Sequence, residues 1–191
     1  VLSGAVDTVT PHGVAAIARL APVTLDEALA DRADDPAGGA GPVLVLAGIG
    51  DPGNAGTLLR SAEAAGVRAV VATTGSVDLF APKTVRASAG SLFRVPVVVG
   101  LDPVVVIEAL AEAGVVTIGT ETGAGLAYDD TDLTRRVAIV LGNEAHGLDP
   151  VVAAAVAETV AIPMAGGVES LNVAMATTVL VFDVARQRGA R

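Results

Sequence analysis

The sequence predicts an α/β fold in which a mostly parallel sheet carries helices on both faces. Apolar runs rich in Val, Leu and Ile recur along the chain and are continuous rather than alternating, as strands buried on both faces read. Helix-like segments lie between several of them, and strand–helix alternation implies parallel pairing. Asn, Glu and Gly gather directly after these runs, at the carboxyl ends where such sheets bind ligands.

In chain order, Thr10-Pro11-His12-Gly13 is a turn and 14–20 reads as a strand. Residues 31–42, charged and then rich in Gly, Pro and Ala, read as a flexible linker, so a boundary falls near 42. Strands are expected over 43–49, 68–73, 94–99, 115–120, 137–141 and 159–162. Helices are expected over 57–65, 81–91, 103–113, 150–157 and 171–188. Ser170 reads as the N-cap of the last of these, which is apolar on much of its circumference and so belongs in a core or a subunit interface.

Composition narrows the function classes. A length of 191 residues fits one α/β domain that buries a core without disulfides or metal. Aromatic residues make up only 2%, which disfavours a base-stacking platform. The absence of cysteine removes thiol nucleophiles and Cys-ligated zinc, and with only His12 and His146 no histidine-rich metal site is expected. A net charge of −9 argues against a general nucleic-acid coat protein, since Lys83 is the sole lysine among 12 basic residues. Apolar runs fall short of the roughly 18 residues that span a bilayer, and no signal peptide is seen, so a cytoplasmic protein is expected. The chain opens on Val1 in mid-pattern and reads as a piece of a longer one.

Three polar segments carry the chemistry. The first follows the strand at 43–49. Within it, Gly48-Ile49-Gly50-Asp51-Pro52-Gly53 matches the spacing of a dinucleotide fingerprint. The acidic residue expected about 20 positions on is replaced by Thr73-Thr74, and Pro52 removes a backbone N–H from the loop. Asn54, Gly56 and Arg60 come next, with Arg60 placed in the first turns of a helix, its fork toward the loop. Taken singly, Arg60 reads as a solvent-facing arginine paired with Glu63 or another neighbour. The second segment, Leu141-Gly142-Asn143-Glu144-Ala145-His146-Gly147-Leu148, puts a carboxylate beyond a buried strand, where it caps a helix or accepts hydrogen bonds from a ligand. His146, without an orienting partner, reads as a loop residue. The third runs from Ile162-Pro163-Met164 to Ser170-Leu171-Asn172.

Together these segments resemble the SpoU-type (TrmH-like) branch of the SPOUT methyltransferases, which methylate ribose 2′-hydroxyls of transfer or ribosomal RNA with S-adenosylmethionine. Asn54-x-Gly56-x-x-x-Arg60 is similar to the family's first motif, Leu141 to Leu148 to its second, and Ile162 through Ala174 to its third. The segment from Lys83 to Pro96, with Ala87, Gly90, Phe93 and Arg94, looks like the one between the first two. The likeness runs from about Val43 to Arg188, and Asn143 departs from it, standing where many relatives place Ser or Ala.

The resemblance implies a C-terminal deep trefoil knot that forms the cofactor pocket, a homodimer with the active site at its interface, an RNA partner and no membrane association. It implies that residues 43–191 are the catalytic domain and 1–42 the remnant of an N-terminal RNA-binding domain plus linker. Arg60 would be the catalytic residue, supported by Asn54, Glu144, Ser170 and Asn172. Thr120, Glu121, Gly142, Asn143, Ile162, Met164, Ser170 and Leu171 would cradle S-adenosyl-L-methionine. No metal is implied. In the family the residue matching Arg60 is proposed to act as base; anchoring a phosphate and stabilising a forming alkoxide is physically cheaper for a guanidinium that stays protonated. A noncatalytic RNA or S-adenosylmethionine binding module and an NAD-dependent oxidoreductase built on the Gly48–Gly53 loop remain as alternatives.

Overall fold

The computed structural model describes residues 16–19, 21–30, 41–123 and 125–189. Among these residues seven strands form one sheet: β1 (Val43–Leu46), β2 (Ala69–Ala72), β3 (Val97–Val99), β4 (Val116–Thr120), β5 (Leu126–Ala127), β6 (Val137–Leu141) and β7 (Glu158–Ala161). Their order is β3-β2-β1-β6-β4-β7-β5, and every neighbouring pair is parallel. All carboxyl ends therefore open on the same edge. The helices are α1 (Leu25–Leu29), α2 (Pro52–Ala64), α3 (Pro82–Ala87), α4 (Pro103–Glu112), α5 (Pro150–Ala155) and α6 (Val173–Gln187).

Alternate residues of each buried strand face different layers, because side chains in a strand alternate between its two faces. Leu44, Leu46, Val70, Ile139 and Leu141 meet Leu58, Leu59 and Ala62 of α2 and Leu180, Val181 and Val184 of α6. Val43, Val45, Val71, Ala138 and Val140 meet Leu25 and Ala28 of α1, Val106, Ile107 and Leu110 of α4, and Val152 of α5. Burial on both faces is what makes the strand sequences continuously apolar.

Several expectations are corrected. The strand expected over 14–20 is not seen: residues 16–19 are exposed and form no regular element, and the rest of that span lies outside the described residues. Of the expected linker, 31–40 also lies outside them. Residues 21–30, for which no element was expected, dock on the sheet. Thr24 closes a capping box with Glu27 at the head of α1, the Val23 N–H donates to the Val97 carbonyl at 2.9 Å, and Arg68 Nε donates to the Ala28 carbonyl at 2.8 Å. The helix expected over 57–65 starts at Pro52, because Asp51 caps it and proline suits a first helical position, where no N–H is needed. Arg60 is thus in the middle of that helix. The helix expected over 81–91 ends at Ala87; positive φ at Ala89 (49°) and Gly90 (91°) breaks it, and a 3-10 turn over Ser91–Phe93 follows. Among the described residues no helix is long and apolar enough to cross a membrane.

Candidate active site

Four strand ends build the site: β1 leads into 47–51, β4 into 121–123, β6 into 142–148 and β7 into 162–172. The β6 turn folds back on itself, with Asn143 and Gly147 exchanging backbone hydrogen bonds of 2.8 Å. Gly142 makes that return possible, since a Cβ there would lie 2.1 Å from the Gly147 carbonyl carbon. Asn143 fixes the turn to its neighbour strand. Its Nδ2 donates to the Gly48 carbonyl at 3.0 Å, while its Oδ1 accepts from the Ala145 N–H at 3.0 Å and lies 3.1 Å from His146 Nδ1.

This turn delivers Glu144 to the head of α2. Its two carboxylate oxygens accept from the Gly50 and Asp51 N–H groups, both at 3.1 Å, and Oε1 also accepts from Asn54 Nδ2 at 3.0 Å. Asn54 Oδ1 in turn accepts from Asn172 Nδ2 at 3.1 Å. Asn172 caps α6, accepting from the Ala174 N–H at 2.9 Å, so the N-terminus of α6 is tied through Asn54 to the carboxylate at the head of α2. Partial burial pushes the Glu144 carboxyl up, but the hydrogen bonds from Asn54, Gly50 and Asp51 outweigh it and hold the group below the ordinary glutamate range.

One residue from each sequence segment is therefore joined in a single network: Asn54, Glu144 and Asn172. Ser170 is not part of it. It is exposed and, contrary to expectation, does not cap α6; Asn172 does, two residues later. Arg60 also stands outside the network, exposed and with no hydrogen bond or ion pair among the described residues. The pairing with Glu63 that Arg60 suggests when taken singly is not made, because Arg94 takes that carboxylate, its Nη2 donating at 2.9 Å and its Nε also bonded. The Arg94 hydrogen bonds lower the Glu63 carboxyl to about 2. The dinucleotide reading of the Gly48–Gly53 loop loses its basis as well. The N–H groups of Gly50 and Asp51, which would have to receive a pyrophosphate, are held by the protein's own carboxylate.

Beside the network lies an open cleft of about 1010 Å³. Thr120, Glu121, Gly142, Asn143, Ile162, Met164, Ser170 and Leu171, the whole of the expected cofactor set, line it, together with Glu144. Sequence reasoning missed Gly125 and Ala127, which line the same cleft from the β5 side. Gly125 passes so close to β7 that a Cβ would lie 2.7 Å from the Val160 carbonyl carbon. A two-residue strand has no period to read; the glycine was the available signal. Among the described residues no three His, Asp or Glu side chains converge as metal ligands would.

The SpoU rRNA Methylase family matches residues 41–182 of this chain. A 23S rRNA (guanosine(2553)-2′-O)-methyltransferase, RlmP, of Bacillus subtilis (strain 168) is 37% identical over 182 residues, covering 95% of this chain and 68% of that protein. A 23S rRNA (uridine(2479)-2′-O)-methyltransferase of Streptomyces viridochromogenes is 38% identical over 142 residues, covering 72% of this chain and 50% of that one. Among solved structures, the SpoU methyltransferase AviRb from Streptomyces viridochromogenes, in complex with the cofactor AdoMet, superposes with a TM-score of 0.74 at 35% identity, covering 84% of this chain and 63% of that one. The chain thus spans between half and about two thirds of the length of these relatives.

Proposed function

Because the chain belongs to the SpoU rRNA methylase family, we propose that it transfers a methyl group from S-adenosylmethionine to a ribose 2′-hydroxyl of RNA, with ribosomal RNA the favoured class. The observation that carries this reading is the cleft of about 1010 Å³, lined by all eight expected cofactor residues and bordered by the Asn54–Glu144–Asn172 network. The lining fits the cofactor. Ile162 and Leu171 offer apolar surface to a nucleoside, Glu121 offers a carboxylate to hydroxyl or ammonium groups, and Gly142 keeps the turn free of side chain. Bound there, S-adenosylmethionine supplies a methyl group already activated by its sulfonium.

The protein's own task is then to position a hydroxyl and help it lose its proton. Arg60 suits phosphate anchoring and stabilisation of developing negative charge, because no carboxylate among the described residues neutralises it. Glu144 is not the base: three donors engage its oxygens and hold it ionised in a structural role. Asn54 and Asn172 position the α2 and α6 termini around it.

The trefoil knot belongs to the same reading. β7 lies outside β4, yet α6 returns to α2, where Ser61 and Thr178 hydroxyls meet at 2.6 Å; that path takes 162–172 back past the 142–148 turn. A homodimer is supported by apolar side chains on and before α6 that stay exposed, namely Leu171, Met175 and Phe182. Residues 1–42 are read as the end of an RNA-gripping part, in keeping with the greater length of the relatives.

Calorimetry tests the reading directly. S-adenosylmethionine or its demethylated product is expected to bind the folded protein with no metal added, and radiolabelled methyl to appear on ribose 2′-oxygens of RNA. A folded sample that binds neither compound removes the proposal.

A further inference from the structure

The chain carries a net charge of −9, and of the eight arginines between residues 41 and 189 six are engaged internally. Arg94 pairs with Glu63, Arg135 with Glu158 and Arg186 with Asp183. Arg68 donates to the Ala28 carbonyl, Arg136 to that of Ala113 and Arg188 to that of Leu133. Arg60 and Arg86 are the exceptions. Both are exposed, and neither has a hydrogen bond or ion pair among the described residues.

They flank one helix contact. α2 and α3 meet backbone against backbone at Gly56, where an added Cβ would stand 2.3 Å from the Ala87 Cβ. Arg60 lies one turn, about 6 Å, beyond Gly56 along α2, and Arg86 immediately precedes Ala87 on α3. Lys83, the chain's single lysine, sits one turn before Ala87; its Nζ is 3.7 Å from Asp51 Oδ2, with the two side chains 65% and 50% exposed. That loose pair leaves the ammonium open to solvent. Glu63, the acid that follows Arg60 on α2, is already neutralised by Arg94. The α2–α3 seam is therefore a strip of uncommitted positive charge on an acidic protein, beside the head of α2 that Glu144 holds.

We propose that Arg86, assisted by Lys83, is a second phosphate-binding position for the RNA strand whose reacting nucleotide is served by Arg60. The identity of the strand rests on the methyltransferase reading; the site itself rests on the accounting of charge. Two exposed guanidinium groups flanking one contact, with no hydrogen bond or ion pair among the described residues, add no such bond to the free protein. A polyanion with regularly spaced phosphates turns both into favourable contacts, and a guanidinium fork matches phosphate oxygens in pairs.

The test is the affinity of the full chain for a single-stranded RNA oligonucleotide between about 50 and 200 mM salt, the range over which phosphate contacts register. With Arg60, Lys83 and Arg86 engaged, the log–log salt slope is expected near −2, and Arg86→Gln is expected to reduce it by about 0.7. The variant should also weaken binding about fivefold to tenfold and raise the KM for RNA more than it lowers kcat, without touching S-adenosylmethionine affinity. Arg136→Gln removes the same charge from the opposite edge of the sheet and is expected to leave slope and affinity unchanged. Arg86 is exposed and unpartnered, so its substitution does not threaten the fold. An unchanged slope in Arg86→Gln, or equal effects of Arg86→Gln and Arg136→Gln, overturns the proposal. Methyl transfer with an unaltered Arg86→Gln slope removes the seam and keeps the methyltransferase reading; salt-sensitive binding through Arg86 without methyl transfer does the reverse.

Discussion

Where β1 and β6 end, the polar groups around Glu144 are partnered; where β7 ends, almost none are. On the first side the Gly48 N–H donates to Ser76 Oγ at 2.9 Å, the Gly50 and Asp51 N–H groups to Glu144, the Asn54 N–H to Asp51 Oδ1 at 2.9 Å, and Asn143 to the Gly48 carbonyl. On the second, residues 163–171 make no hydrogen bond among the described residues, and Val168 stays 65% exposed. One wall of the site is assembled before any ligand arrives, and the other has unspent hydrogen-bonding capacity facing the cleft. The difference fits a division of labour in which the β1–β6 wall sets geometry and the β7 loop receives the cofactor.

The largest expected effect comes from Arg60, which belongs to neither wall. Arg60→Ala is expected to lower turnover on RNA by roughly two orders of magnitude or more, as loss of a transition-state contact does, while S-adenosylmethionine affinity stays within a few fold. Arg60→Lys should not restore turnover, because an ammonium lacks the planar fork. Single-turnover kinetics with parallel calorimetry checks both. Near wild-type rates would reduce Arg60 to a surface arginine and leave the two walls without a catalytic group between them.

A smaller effect is expected on the prebuilt wall itself. Glu144→Gln keeps one acceptor oxygen but presents an NH₂ to a site that offers only donors, Gly50 N–H, Asp51 N–H and Asn54 Nδ2. The exposure of the group tempers the loss to about 1 kcal/mol, measured by denaturant unfolding at neutral pH. The pH dependence follows from the direction of the shift. The folded-state value lies below the ordinary 4.5, so the stabilisation is fully present above 4.5 and disappears as pH falls through the lower folded value. The stability gap between wild type and Glu144→Gln should therefore narrow in that acidic interval. A gap that stays constant there would mean the carboxylate charge is not what the wall uses.

The same contrast explains what could be read from the sequence. The sheet was legible because strands buried on both faces leave continuous apolar runs, and the expected 137–141 strand is observed as Val137–Leu141. The network was legible only as three separate segments: Asn54, Glu144 and Asn172 are 90 and 118 positions apart along the chain, as measured from Asn54, and no spacing rule brings such residues together. The start of α2 was misplaced because Pro52 looks like a loop residue until Asp51 is recognised as a cap. β5 and α1 escaped because two and five residues are too few for a period to register. Pairing of charges was out of reach too: taken singly, Arg60 has Glu63 or another neighbour as a partner, and only the fold brings Arg94, 31 residues away from Glu63, to claim that carboxylate.

The smallest effect in free energy is the one that most sharply separates the two walls. Amide hydrogen exchange followed with and without S-adenosylmethionine reports local opening, which is governed by the hydrogen bonds each segment already has. Within 48–54 and 143–147 the amides of Gly48, Gly50, Asp51, Asn54, Asn143, Ala145 and Gly147 start bonded to hydroxyl, carboxylate, amide or backbone oxygens, so ligand adds little to them. Amides of 163–171 start without protein partners, and any bond they form to the cofactor or to residues it draws in appears as new protection. The expected pattern is protection rising by about tenfold or more in 163–171, equivalent to about 1.4 kcal/mol at saturation, against little change in the other two segments. Equal gains on both sides would mean that the β1–β6 wall is not formed in advance and closes together with the loop. Gains confined to 48–54 and 143–147 would place the cofactor against the wrong wall, and with it the assignment of Ile162, Met164, Ser170 and Leu171 to the cradle.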